Sequence, residues 1–119
     1  MTIQIAAQRT ALCTAYATAA PNMALHTGSP GTSGNATNEV TGGSPAYARK
    51  SCGWGTASAS VVTGTEATFD VPASTTVTHV SVTVSSTAAT NDVRDWVAIT
   101  SQTFASQGQL KVTPTYTQS

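Results

Sequence analysis

The chain has 119 residues, of which 8% are charged, and its five basic residues balance five acidic ones to a formal net charge of zero. One domain of this length buries a core without disulfides or metals, and with no cluster of Lys or Arg it lacks the electrostatic footprint that nucleic acid or an anionic membrane requires. Thr, Ser and Ala approach half of the sequence, which describes a neutral, hydroxylated surface suited to a subunit packed against neighbours. No apolar run is long enough to span a bilayer, and residues 1–20 do not carry the basic and then hydrophobic pattern of a secretory leader.

In chain order, Thr2 is placed as an N-cap and the Ala-rich stretch that follows, free of Gly and Pro, predicts a helix over residues 2–19. Ile5, Leu12 and Tyr16 fall on one face of it. That stripe is thin, because Gln8 and Arg9 occupy the turn between Ile5 and Leu12, and a helix gains most of its stability from burial. It must dock, either on its own domain or on a neighbouring subunit. Ala20-Pro21-Asn22 ends it.

From residue 22 the periodicity becomes alternating and the strand-formers are Thr, Val and Ser. The segment from Ala24 to Arg49 reads as a strand, a long ordered turn over 27–45, and a second strand. Pro30, a run of glycines and the left-handed-tolerant Asn35 and Asn38 give that turn its shape. Further strands are expected at Ala67 to Val71 with Phe69 and Val71 inward, at Thr76 to Ser85, at Val93 to Ile99, and at the C-terminus. In the second of these, Val80, Val82 and Val84 share a core face and His79, Ser81 and Thr83 a wet one. In the third, Trp96 lies on one side and Val97 and Ile99 near the other. In the last, Leu110, Val112 and Tyr116 alternate with polar residues, and Pro114 confines the strand to an edge or bulge. The expected fold is mainly β: a single domain over 1–119, with an antiparallel β-sandwich over 22–119 preceded by one N-terminal helix.

Chemistry is sparse. There is no nucleophile elbow and neither histidine stands beside a nucleophile, so the chain is not expected to be an enzyme. His26 sits where a strand meets its turn, and a side chain to backbone hydrogen bond pinning the loop, with Glu39 in the same role, is its expected part. His26, His79, Cys13 and Cys52 are scattered singly, so no metal or other cofactor is expected. The two cysteines read first as buried thiols and second as a disulfide. Asp92, Arg94 and Asp95 form the one charge cluster, read as a solvated strand entry with an Arg–carboxylate pair rather than as a calcium or partner site. Trp54 and Trp96 read as buried or interface anchors, with a sugar-stacking platform as the sharper alternative.

The Ala-rich helix, Leu25-His26-Thr27-Gly28-Ser29-Pro30-Gly31, Asn38-Glu39-Val40-Thr41-Gly42-Gly43, Tyr47-Ala48-Arg49, Val71-Pro72-Ala73 and Val77-Thr78-His79-Val80 resemble a family of small structural proteins of tailed bacteriophages of actinobacterial hosts. The resemblance covers about two thirds of the chain. Relatives usually have Asp where this chain has Ser29, and a Gly-rich loop with an aromatic where it has Ser85 to Asn91. Members are described as tail-fibre or minor tail proteins and as capsid decoration or head-fibre proteins. The resemblance therefore implies a non-enzymatic virion protein assembled in the host cytoplasm. Its expected partners are the major capsid protein, or the tail proteins, of the same virion, and further copies of itself in a homo-oligomer. Capsid decoration is the first expectation, because no coiled-coil shaft is present. A tail or tail-fibre component is the second and a carbohydrate-binding module the third. Tyr16, His26, Glu39, Trp54 and Trp96 are the candidate partner-contacting or loop-shaping residues.

Overall fold

The computed structural model describes residues 2–119. One helix, α1 (Ala6–Ala19), is followed by β1 (Asn22–His26), β2 (Lys50–Ser51), β3 (Val61–Thr63), β4 (Ala67–Val71), β5 (Thr75–Thr83), β6 (Val93–Phe104), β7 (Gly108–Val112) and β8 (Thr115–Thr117). Every strand pairing is antiparallel. The main sheet has the order β2-β1-β5-β6, and two smaller sheets pair β3 with β8 and β4 with β7. The antiparallel β architecture behind one N-terminal helix is the one the sequence predicts.

Period-two patterning places the core. Met23 lies opposite Val82 and Leu25 opposite Val80, so these side chains share one face of the main sheet. Met23, Leu25, Val77 and Val80 pack against Phe69 and Val71 of β4, Val40 and Cys52, all at most 7% exposed, and Val82 is partly buried against them. Phe69 is the largest of the fully buried side chains. The sandwich is closed by β4 and β7 beneath β1 and β5 and stays open beneath β6.

The far face of the main sheet corrects the expected wet side. Ser81 and Thr83 are buried, as is His26 beside them on β1. Residues 31–37 of the long turn fold across this face and are held at four points. Trp96 Nε1 donates to Gly31 O at 2.8 Å, Val93 N to Gly34 O at 2.9 Å, Asn91 N to the Asn35 side chain at 3.1 Å, and His26 Nδ1 to Thr37 O at 2.9 Å. Hydroxyl residues tolerate either setting, which is why alternation with Val read as exposure.

Several elements differ from their expected bounds: β5 ends at Thr83, so Val84 is exposed instead of sharing the core face, and the return strand expected at Ala46 to Arg49 is displaced to the two residues of β2. The helix runs from Ala6, not residue 2. Its N-cap is Ile5 in extended conformation with no side-chain cap bond, and the Arg9 guanidinium holds Ile3 O in place. Ile5 faces solvent, and the inward face is centred on Cys13, whose Sγ lies 3.1 Å from Ser60 O. Arg9 Nε reaches Ser60 Oγ at 2.9 Å, so the helix docks on its own domain through small and polar groups. Strand β6 runs on to Phe104, with an irregularity where residues 99–101 oppose Thr78. The C-terminal strand is split at Pro114, whose missing N–H ends one ladder, and its halves join different sheets.

Replacing Phe69 with Ala is expected to lower unfolding free energy by about 3–5 kcal/mol, because the residual cavity lies where both layers meet. Urea denaturation followed by tryptophan fluorescence measures it.

Candidate functional site

The five sequence candidates separate into two places. His26 and Glu39 belong to a buried polar knot on the far face of the main sheet. Tyr16 and Trp54 belong to an aromatic cleft at its open end, and Trp96 stands between the two.

The knot is built on Arg49, which alternation sets on the same side of its segment as Tyr47. Its Nε and Nη2 engage both Glu39 oxygens at 2.8 Å. Its Nη1 donates to Asp92 Oδ2, to Ser85 O at 3.0 Å and to Thr87 O at 3.3 Å. Tyr47 Oη donates to Glu39 Oε2 at 2.8 Å and accepts from the Leu25 N–H at 3.0 Å. The long turn, the return segment, the β5–β6 loop and β1 thus meet on one guanidinium. Hydrogen bonds to Glu39 raise the Arg49 pKa further, outweighing its desolvation. Burial pushes the Tyr47 hydroxyl up as well, which keeps it a donor. Asp92 Oδ1 is buried with no partner among the described residues.

His26 completes the knot. Since Thr37 O can only accept, Nδ1 carries the proton, and the Ser81 hydroxyl, 2.7 Å from Nε2, donates to it in the neutral ring. Desolvation lowers the His26 pKa, only partly offset by the Thr37 bond and Glu39. The expected pairing of Arg94 with its flanking carboxylates is not what forms. Arg94 caps Asn91 O, and Asp92 is taken by Arg49 from 43 residues away.

The cleft, about 400 Å³, opens between β6 and the β7–β8 corner. Tyr16 from α1 stacks on Tyr116 from β8 with centroids 3.7 Å apart and rings within 8° of parallel. Trp54 stands edge-on to Tyr16 at 6.2 Å, and its Nε1 donates to Ala20 O at 2.8 Å, closing the end of the helix. Val82, Val97, Ile99 and Val112 line the floor and wall. Tyr16 Oη donates to Asp95 Oδ2 at 2.8 Å, and burial with that bond holds its pKa above the usual range. Trp96 borders the cleft, but alternation along β6 sends its indole to the opposite face from Asp95 and Val97. There it meets His79 edge-on at 5.3 Å and bonds to Gly31 O.

Chemically the cleft offers apolar burial with one hydrogen-bonded carboxylate at the rim. The carboxylates of Glu39 and Asp92 are both held by Arg49. Among the described residues no group of three or more His, Cys, Asp or Glu is arranged to hold a metal. Both cysteines are free thiols, and burial pushes Cys52 up to about 12, far from a reactive thiolate. Arg49, Tyr47, Asp92 and Tyr116 were not among the sequence candidates. The one available signal for Arg49 and Asp92 was that charges so rare in a chain tend to be paired when they fall in apolar surroundings.

A scan of family models matches residues 6–117 to the family described as podophage GP4 fiber I protein gp80. No curated protein and no solved structure matches.

Arg49→Ala is expected to cost about 3–5 kcal/mol, since it strands two buried carboxylates. Arg49→Lys should recover only part of that, because an ammonium cannot span both Glu39 oxygens. Chemical denaturation of the three proteins ranks them. For His26, the unfolded ring takes a proton near pH 6.5 and the folded ring only at lower pH. Its contribution to stability is therefore complete above about pH 6.5 and is lost as pH falls through the folded value. The His26 ring resonances should titrate below about 6.5, and amide protection factors across residues 31–37, corrected for the intrinsic pH dependence of exchange, should fall over the same range.

Proposed function

The chain belongs to the podophage GP4 fiber I protein gp80 family, and on that premise we propose that it serves as a non-enzymatic, fibre-type subunit of a tailed-phage virion. The protein is a phage virion structural component. Within that role, fibre placement takes precedence over the capsid decoration expected from the sequence, because the matching family model is that of a fibre protein. The motifs Leu25-His26-Thr27-Gly28 and Asn38-Glu39-Val40-Thr41-Gly42-Gly43 resemble those of actinobacterial phage proteins, and such a host is part of the proposal.

One observation supports this reading more than any other. Arg49, Glu39, Asp92 and His26 are spent on internal bonds, while the cleft that stays open to solvent is lined mainly by apolar and aromatic side chains. That division suits a part whose work is to hold shape and to be held. Trp54 and Trp96 each have the indole N–H bound to a backbone carbonyl and their rings are not set side by side, which weighs against a stacked sugar platform. Other virion proteins are the partners that fit.

Gold-labelled antibody raised against the purified protein should mark fibres on intact virions viewed by negative-stain microscopy. Uniform labelling of the heads would replace the fibre assignment with decoration. Virions without any label would remove the protein from the particle altogether.

A further inference from the structure

On the cleft side of β6 the alternation Asp95, Val97, Ile99 puts a carboxylate where the sheet otherwise presents apolar groups. The register sets Asp95 opposite Val82 and Val97 opposite Val80, and Met23 and Leu25 of β1 complete the two rows across the sheet. Asp95 therefore ends a row whose other members face the core. A charge in such a setting is ordinarily paired. Asp95 is not: among the described residues the ion pairs belong to Arg49, and Arg94 beside it donates to Asn91 O instead.

Its carboxylate is nonetheless held in place by neutral donors. Oδ2 accepts from Tyr16 Oη at 2.8 Å and Oδ1 from the Trp96 N–H at 2.9 Å. A carboxylate oxygen has two lone pairs, so each keeps one free. Tyr16 is itself fixed by its stack on Tyr116 and by the edge of Trp54, which gives the carboxylate an aromatic wall. Below it the floor is open, with Val97 60% exposed and Ile99 beyond it along the cleft.

We propose that the cleft is the seat of an arginine side chain presented by a partner polypeptide, its guanidinium on Asp95 and its methylene stem along Val97 and Ile99. Each part of the cleft matches one part of that side chain. Two oxygens with a lone pair apiece suit the planar fork of a guanidinium, which binds a carboxylate through two parallel bonds. Aromatic rings beside the anion favour a delocalised cation that stacks, and a compact, strongly hydrated ammonium gains less there. An apolar floor leading to a charged rim is what a long stem with a charged head covers. The cleft, about 400 Å³, holds the whole side chain. The donor is another chain, because the arginines of this one are engaged within its own fold: Arg49 in the buried knot, Arg9 on Ser60 Oγ and Ile3 O, and Arg94 on Asn91 O.

The inference goes beyond the fibre assignment, and it is tested on the isolated full chain with Nα-acetyl-arginine N-methylamide as the probe. Titration followed by two-dimensional NMR should shift the Trp54 indole N–H, the Val97 amide and the rings of Tyr16 and Tyr116, and leave the His26 ring unmoved. The capped citrulline, similar in shape but uncharged, should bind at least about tenfold more weakly, since it cannot make the charged bonds. Capped lysine should fall between the two. Asp95→Asn should bring arginine down to the affinity of citrulline with the circular dichroism unchanged, whereas Asp70→Asn, which removes the same charge from β4, should leave it intact. If Asp95→Asn perturbs the fold, the comparison of arginine with citrulline on the unaltered protein decides. Equal binding of the two would overturn the proposal. So would shifts confined to residues outside the cleft, or no shift at all. None of these results bears on whether the protein belongs to the virion.

Discussion

The Arg49 guanidinium is the constraint on which this structure depends. It is buried with two carboxylates and two carbonyl oxygens around it. Those partners come from the long turn, the β5–β6 loop and the strand entry of β6. A buried ion pair of this kind contributes little net stability compared with a well-packed apolar group, yet removing one partner is severe because the others are left charged and dry. Its effect is specificity. The long turn has few large apolar side chains to fix its path, and Val40 and Tyr47 alone could not choose one conformation for it. Arg49, reaching Glu39 and Asp92 together, chooses it.

Once the turn is fixed, the rest follows from burial. The segment across residues 31–37 dries the far face of the main sheet, so His26, Ser81 and Thr83 must find partners there, and they do. Burial then tunes His26 toward the neutral ring that its two hydrogen bonds require. The two layers are asymmetric as a result. One face of the sheet is covered by a polar turn held by hydrogen bonds, and the other by β4 and β7 through Phe69, Val71 and their neighbours. Strand β6 is covered fully on neither side, and the aromatic cleft with Tyr16, Trp54 and Tyr116 is the unfilled space beneath it.

The alternation of Val80 and Val82 with polar residues, the inward pair Phe69 and Val71, the opposed sides of Trp96 and Val97, the helix and the ordered turn were all legible in the sequence. Each is a local pattern that burial reads directly, with period two for a strand and low glycine content for a helix. The termination of one ladder and the start of another at Pro114 was half legible, since proline forbids the bond but does not say which strand takes over.

What only the tertiary structure decided are the choices among equivalent partners. The sequence offers Asp92 an arginine two residues away and another 43 residues earlier, and the distant one wins because it is carried into the same dry space. Thr83 and Ser81 suit water or protein equally, so their burial depends on where the turn lands. Tyr16 could have met a neighbouring chain, and instead finds Tyr116 because the β8 strand passes beneath the helix. Local periodicity is written in neighbouring residues and can be read from them. Pairing across the fold depends on the summed path of the backbone, which no single segment contains.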